Sequence, residues 1–363
     1  MANIEYVSVD VGYGFTKAIS SSGNRVIFPS VVGTGRDRNL ASFLNESHIT
    51  SEMDLSELHL KINGSDYFVG DLAIKNSPDG SRVFDRERFN HLYTYILLHV
   101  AIQLTVSPET DEVVLFTGLP LDYFKTQKDD FQRQLLNQQP LHIEWQTGFN
   151  RSKTSIRIMD CNVFPQGFSA VWATLLNHDG KEFNRDLLQE GNQIAVIDIG
   201  YRTTDVCVVE MQEGGGFTPI MQFSETIEQG VVNLHDAVKL SYQQKTNGSD
   251  LSENKLNRIF KQKNISFKGK KYDFTDEVAA AHQSVANAIN DRVNMLWKGE
   301  SDTFDEIFTV GGGGIVFSDF LQKNFDNRLK SIIDSQYSNA IGYYRIGKML
   351  SGDIQQHRNR IAN

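Results

Sequence analysis

The sequence predicts an α/β protein of two related lobes, each built on a mixed five-stranded sheet with helices. Apolar β-type runs alternate with stretches of helical periodicity along the chain, which indicates mixed α/β architecture. A strand–turn–strand unit near the N terminus also recurs in the middle of the chain, which indicates duplication. The length of 363 residues agrees, because domains typically hold about 100 to 200 residues.

The repeated unit carries an Asp-x-Gly turn. Residues 10–17 read DVGYGFTK, and residues 198–205 read DIGYRTTD. Both copies follow an apolar strand and continue into a second β-type run. We therefore expect one lobe from residues 1–165 with about 336–363 and another from 166–335, facing each other through the two turns.

Further elements follow from local patterns. Asn63-Gly64 between two β-type runs predicts a hairpin, because both residues tolerate positive φ. Apolar residues at helical spacing predict a buried helix over 87–104. In the second half, a strand over 306–310 runs into four consecutive glycines, and we expect a loop there before a helix over 315–324.

Composition excludes several classes of protein. Lys and Arg total 36 against 45 for Asp and Glu, so we expect no direct binding of nucleic acid. The longest strongly apolar run, residues 95–102, is far shorter than the roughly 20 residues that cross a bilayer. No basic segment followed by an apolar one opens the chain, so we expect a cytoplasmic protein. Cys161 and Cys207 are too far apart for a metal motif, and we expect both to be reduced core residues.

The two Asp-x-Gly turns predict phosphate binding. A glycine turn after a strand presents several N–H groups to one point, which forms an anion nest. Two such turns that face each other would hold a polyphosphate, with Mg²⁺ between Asp10 and Asp198. Lys17 in the first copy would neutralise phosphate charge, whereas Asp205 stands at its place in the second. Each turn alone is also compatible with an ordinary connection, but the duplication favours a site.

The four glycines at 311–314 have two interpretations. Bare backbone after a strand allows a flat part of a ligand to lie close to it. A flexible hinge is the alternative. A P-loop NTPase is excluded, because the sequence holds no Gly-x-x-x-x-Gly-Lys-Ser/Thr motif.

These motifs, in this order, resemble the superfamily of actin, sugar kinases and heat-shock chaperone ATPases. More narrowly, the chain is similar to prokaryotic actin-like filament proteins of the plasmid-segregation (ParM) type and to their archaeal relatives. The resemblance covers nearly the whole chain and implies an actin-like (ribonuclease H-like) fold with a nucleotide cleft between its lobes. The matching segments are residues 10–17, Pro165-Gln166-Gly167, residues 198–205, residues 310–313, and smaller ones at 27–30, 69–73, 117–120 and 339–343.

The resemblance implies a role for each site residue. The phosphates would be bound by Gly12, Tyr13, Gly14, Phe15 and Lys17 in the first turn and by Gly200, Tyr201, Arg202 and Thr203 in the second. Asp10 and Asp198 would hold Mg²⁺ through water. Gln166 would orient the attacking water, since a Gln can do so without a perturbed pKa; an ordinary helix-capping role is the alternative. The nucleoside would contact Gly311, Gly312 and Gly313, together with Lys255 on a helix over about 251–262.

The resemblance also implies the function. We expect binding of Mg²⁺ with ATP or GTP, head-to-tail self-assembly into dynamic filaments, slow hydrolysis of the γ-phosphate, and movement of a plasmid or other DNA through a small DNA-binding adaptor. A small-molecule kinase on the same fold is one alternative, although no further acidic residue in the first-lobe motifs fits a general base. A non-polymerising ATP-dependent switch is the other.

Overall fold

The computed structural model describes residues 3–36, 54–83, 90–146, 154–181 and 184–361. The chain forms two compact units, Met1–Pro165 with Ile346–Asn363 and Gln166–Arg345. The sequence placed the return to the first unit at about residue 336. In the structure the last helix begins in the second unit and enters the first at Ile346.

The first unit contains two sheets. Its elements are β1 (Ile4–Val11), β2 (Phe15–Ser20), β3 (Arg25–Pro29), β4 (Val32–Thr34), β5 (His59–Ile62), β6 (Ser65–Val69), α1 (Asp71–Asn76), α2 (Leu92–Thr105), β7 (Glu112–Leu119), α3 (Leu121–Asn137), β8 (Glu144–Trp145) and β9 (Arg157–Pro165). The main sheet has the order β3-β2-β1-β7-β9, and β4-β6-β5-β8 form the smaller one. The hairpin predicted at Asn63-Gly64 joins β5 to β6, with positive φ at both residues.

The buried helix of the first unit begins later than predicted. Residues 87–89 of the predicted helix lie outside the described residues, and α2 begins at Leu92. Every residue from Thr94 to Thr105 is buried, and α2 packs against β1 and β2. A helix that is apolar on all sides must be enclosed by protein, so α2 forms the centre of this core.

The second unit has a main sheet of six strands. Its elements are α4 (Phe168–Leu175), β10 (Gln193–Ile199), β11 (Thr204–Met211), β12 (Phe217–Pro219), β13 (Glu225–Ile227), α5 (Val231–Lys245), α6 (Glu253–Gln262), β14 (Asn264–Phe267), β15 (Lys270–Asp273), α7 (Thr275–Trp297), β16 (Glu306–Val310), α8 (Gly311–Leu321), β17 (Leu329–Ser331) and α9 (Ser338–Ile361). The sheet has the order β12-β11-β10-β16-β17, and β13 also pairs with β11. This sheet therefore has one strand more than the five predicted. The additional strand, β13, is only three residues long.

The two main sheets repeat one topology, and this confirms the duplicated α/β fold. In each, an antiparallel hairpin (β1–β2 or β10–β11) is extended by a third antiparallel strand on one side and by two parallel strands on the other. The hairpin registers also agree: Asp10 lies opposite Lys17, and Asp198 lies opposite Asp205. The sequence repeat is thus a structural repeat, residue for residue. In the described part of the chain, no helix is both long and apolar enough to span a bilayer.

Candidate functional site

The β1–β2 connection is a tight turn that requires glycine. The Gly12 N–H donates to the Phe15 carbonyl at 3.1 Å. A Cβ at position 12 would lie 2.8 Å from that oxygen and 3.1 Å from the Lys17 Nζ. A side chain at this position would therefore collide with backbone, so the turn keeps its bare surface only with glycine.

Hydrogen bonds from Ser30 and Arg82, which were not among the predicted site residues, stabilise this turn. The Gly14 carbonyl accepts the Ser30 N–H at 2.9 Å and also the Arg82 guanidinium. Thr16 and Ser30 share a buried hydrogen bond of 2.8 Å between their hydroxyls. Arg82, about 70 residues further along the chain, therefore places a positive charge at the turn.

Asp10 and Lys17 form an ion pair at the base of the turn. Lys17 Nζ lies 3.0 Å from Asp10 Oδ2, and the side chains are only 14% and 4% exposed. The pair spans opposite positions of β1 and β2. The hairpin thus carries the five residues predicted to bind phosphate in the first turn, namely Gly12, Tyr13, Gly14, Phe15 and Lys17, together with Asp10, which was predicted to hold Mg²⁺.

The β10–β11 connection repeats this turn. The Gly200 N–H donates to the Thr203 carbonyl at 2.8 Å, as Gly12 does to Phe15. The Tyr201 carbonyl accepts the Val232 N–H at 2.7 Å, so the first turn of α5 uses an orphan amide to anchor the loop. A Cβ at Gly230 would lie 2.7 Å from the Tyr201 carbonyl, so glycine is required for this close approach.

Side chains of the second loop extend the network on the same unit. The Tyr201 hydroxyl lies 3.2 Å from His235 Nδ1 on α5. Arg202 Nε lies 3.6 Å from Glu228 Oε2, in a partly exposed pair. The loop is therefore fixed to α5 through both backbone and side chain.

Asp198 has a different partner from its counterpart Asp10. Asn339 Nδ2, on the first turn of α9, donates to Asp198 Oδ2 at 2.7 Å. Asp205, which occupies the position of Lys17, accepts a 2.6 Å hydrogen bond from the Thr226 hydroxyl. The second carboxylate is therefore held by a neutral donor where the first is held by a cation.

The glycine run is not the loop that the sequence analysis predicted. Helix α8 begins at Gly311 itself and ends at Leu321, so the predicted loop over 311–314 and helix over 315–324 are wrong in their bounds. A Cβ at Gly311 would lie 2.4 Å from Asp198 Oδ1, and one at Gly313 would lie 2.3 Å from Ile199 Cγ2. These glycines allow α8 to start directly against the end of β10.

Gln166 lies between β9 and α4. Its carbonyl accepts the Phe168 N–H at 2.9 Å, and the next residue, Gly167, has φ of +75°. A Cβ at Gly167 would lie 2.6 Å from Cys207 Sγ. The Gly167 N–H donates to Asn339 Oδ1 at 3.1 Å, so Asn339 links the Gln166 segment to Asp198.

Lys255 and the two cysteines are the remaining residues singled out from the sequence. Lys255 is exposed on α6, a helix that packs against α5 and β14. Cys207 is buried beside the site, and burial, together with the nearby Asp205 and Asp198 charges, raises the pKa of its thiol well above the usual range. Cys161 is buried too, and burial likewise raises the pKa of its thiol. Both cysteines are free, so the expectation of reduced core residues is confirmed.

Asp10 and Asp198, one in each unit, both carry a donor group of the kind that Mg²⁺ binds. Asp10 and Asp198 supply carboxylate oxygens, the hard donors that Mg²⁺ prefers, and each carboxylate is held in place by a nitrogen donor. Among the described residues, no group of three or more His, Cys, Asp or Glu is arranged to bind a metal directly.

Known families match both halves of the chain. The family of actin like proteins, N terminal domain, matches residues 8–168. The C-terminal domain of the archaeal actin homologue MreB-like family matches residues 196–323. An archaeal actin homologue from Thermoplasma acidophilum is 26% identical over 348 residues, which cover 93% of this chain and 97% of the relative.

Solved structures agree with the family matches. The structure of a 15-stranded ParM filament from Clostridium botulinum has a TM-score of 0.83 and 27% identity, and the match covers 96% of this chain and 99% of that one. A crystal structure of an archaeal actin homologue has a TM-score of 0.74 at 21% identity, covers 96% of this chain and 99% of that one, and shares the fold. Both halves of the chain therefore match actin-like families and its two main sheets repeat one topology, so the chain is an actin-like protein, similar to ParM and to the archaeal actin homologues.

Proposed function

We propose that this protein is a nucleotide-dependent filament protein that binds ATP or GTP with Mg²⁺ and hydrolyses the γ-phosphate slowly. The observation that carries the proposal is the repeated hairpin, in which Gly12 and Gly200 close equivalent turns beside equivalent carboxylates. Two structural relatives support it by their descriptions, one as a ParM filament and one as an archaeal actin homologue in complex with ADP.

Each part of the site has a role in this proposal. The loops of residues 12–15 and 200–203 contribute to binding the phosphates, with Gly12 and Gly200 closing the turns, and Lys17 contributes positive charge. Gln166 orients the attacking water, and Asp10 and Asp198 hold the waters of Mg²⁺, which when bound neutralises phosphate charge. Gly311, Gly312, Gly313 and Lys255 remain the proposed contacts of the nucleoside.

Self-association is the proposed output of nucleotide binding. A head-to-tail contact that does not close produces an open polymer, and hydrolysis then acts as a timer because the two nucleotide states differ in subunit affinity. We propose that such filaments move plasmid or other DNA in the cytoplasm through a small DNA-binding adaptor, and this part rests on the family resemblance of the sequence motifs alone.

Light scattering and phosphate release, recorded together after Mg²⁺ and ATP or GTP are added, test the proposal. We expect scattering to rise, reach a plateau and fall as phosphate appears. Asp198→Ala should abolish phosphate release, because a carboxylate that holds the metal's water shell is lost. Nucleotide binding with flat scattering would contradict a filament, and ADP formation that depends on an added small-molecule substrate would favour a kinase.

A further inference from the structure

One side-chain amide joins two segments of the second unit. Asn339 Nδ2 donates to Asp198 Oδ2 at 2.7 Å, and Asn339 Oδ1 accepts the Gly167 N–H at 3.1 Å. The partners are 141 and 172 residues away in sequence, and the side chain is buried. Asp198 is the last residue but one of β10, whereas Gly167 follows directly on Gln166.

The orientation of this amide is fixed by its partners. An ionised carboxylate only accepts hydrogen bonds, and a backbone N–H only donates them. The Asn339 nitrogen must therefore face Asp198, and its oxygen must face Gly167. A side chain of the same shape without both functions cannot satisfy the two neighbours together.

The helix turn that carries Asn339 is itself tightly held. A Cβ at Gly342 would lie 1.8 Å from the Ser169 carbonyl, so the first turns of α9 and α4 are in direct backbone contact. Just before α9, the Ser335 hydroxyl donates to the Gly311 carbonyl at 3.3 Å, which attaches the segment to the start of α8. Asn339 therefore has little freedom to move away from Asp198 and Gly167.

The repeat shows what is special about this contact. Asp10 faces the cation Lys17, whereas the corresponding position opposite Asp198 holds Asp205. Asp198 is instead held by a neutral amide. A hydrogen bond from a neutral amide fixes the direction of a carboxylate oxygen.

We propose that Asn339 is a positioning residue for γ-phosphate hydrolysis. It holds the Asp198 carboxylate and the Gly167 peptide in one arrangement, and through that peptide it sets the place of Gln166. The inference rests on the proposed function. It deepens that proposal by naming the residue that couples Asp198, the proposed metal-holding carboxylate, to Gln166, which is proposed to orient the attacking water. Partners of this kind typically change activity or metal affinity by about 10- to 100-fold when removed.

The test compares Asn339→Ala, Asn339→Asp and the matched control Ser338→Ala, a neighbouring residue that is also buried. For each, nucleotide affinity, turnover at saturating nucleotide and the Mg²⁺ concentration for half-maximal turnover are measured, with rates normalised to bound nucleotide. We expect Asn339→Ala to lose about 10- to 100-fold in turnover and to need more Mg²⁺, with nucleotide affinity within about threefold of wild type. Ser338→Ala should behave as wild type.

Asn339→Asp keeps the size of the side chain and an acceptor for Gly167, but it places a second carboxylate against Asp198. We expect Asn339→Asp to lose at least as much turnover as Asn339→Ala. It therefore tests the positioning role if the alanine variant fails to fold. Asp198→Asn combined with Asn339→Ala should cost less than the product of the single losses, because the two residues act as one unit.

The outcomes separate the two proposals. Wild-type turnover and Mg²⁺ dependence in both Asn339 variants, while the wild-type protein hydrolyses nucleotide, would overturn the positioning role and leave the filament function intact. Losses confined to thermal stability, with unchanged turnover per bound nucleotide, would overturn it as well. Wild-type protein that releases no phosphate would overturn the proposed function and this inference with it.

Discussion

Lys17 Nζ lies 3.0 Å from Asp10 Oδ2, on adjacent strands and largely out of contact with water. The interaction of two charges is little screened when both are buried, so each side chain holds the other in place. The pair therefore presents a fixed cation beside the Gly12 turn. An anionic ligand at that turn would gain from a charge whose position needs no reorganisation.

Lys17→Met tests this cation. We expect nucleotide affinity to fall by about tenfold or more, because one charge-assisted contact to phosphate is lost. Stability should fall by about 3 kcal/mol, since Asp10 is left buried without its cation. The matched control is Lys61→Met, which removes a partly exposed pair with Asp66 at 3.8 Å and should leave both quantities nearly unchanged. Equal nucleotide affinity in the two variants, measured by titration, would remove Lys17 from the site.

Gln166→Ala tests the water-orienting role. We expect hydrolysis to slow by roughly a hundredfold or more, while nucleotide binding and assembly survive, because only the attacking water loses its orientation. Single-turnover phosphate release and light scattering on one sample would separate these effects. Gln189→Ala changes an exposed glutamine of the same unit and should have no effect. Unchanged hydrolysis in Gln166→Ala would leave Gln166 as an ordinary residue before α4.

The glycines of α8 show what sequence patterns can and cannot predict. The strand over Glu306–Val310 was predicted correctly, because β-type runs have a local signature. The helix start was not, because four glycines suggest a loop when only propensity is considered. The start of α8 depends on a residue that is distant in sequence, because a side chain at position 311 or 313 would collide with Ile199.

The same reasoning explains which site residues were missed. The two Asp-x-Gly turns could be found because the sequence repeats them, and the structure repeats their register. Asn339 and Arg82 act on those turns across 141 and 68 residues respectively. Contacts of that separation leave no periodicity or spacing in a single sequence. Asn339 belonged to a segment that matched the family, but nothing in the segment predicted its partners.

Gly313→Ala and Gly312→Ala form a matched pair of adjacent substitutions in α8. At position 313 a Cβ would lie 2.3 Å from Ile199 Cγ2 and 2.8 Å from the Ile199 carbonyl, so we expect a loss of about 2 kcal/mol in stability from overpacking. At position 312 the nearest atom is 3.6 Å away, on Gln336, so alanine fits. Its better helix propensity should then add up to about 1 kcal/mol. Chemical denaturation of both variants measures this, and equal stabilities would contradict the packing described for α8.

His99 makes the stability of the first unit depend on pH. Burial within α2 lowers the pKa of its imidazole to about 4, against about 6.5 in an unfolded chain. The unfolded state therefore binds the proton more tightly, and the stability that is fully present above pH 6.5 is lost progressively as the pH falls to 4. The loss amounts to about 3 kcal/mol at about 1.4 kcal/mol for each pH unit between the two values. His99→Leu removes the titrating group, so in urea unfolding its stability relative to wild type should rise by that amount between pH 7 and pH 4. A constant difference across this range would show that His99 does not titrate on unfolding.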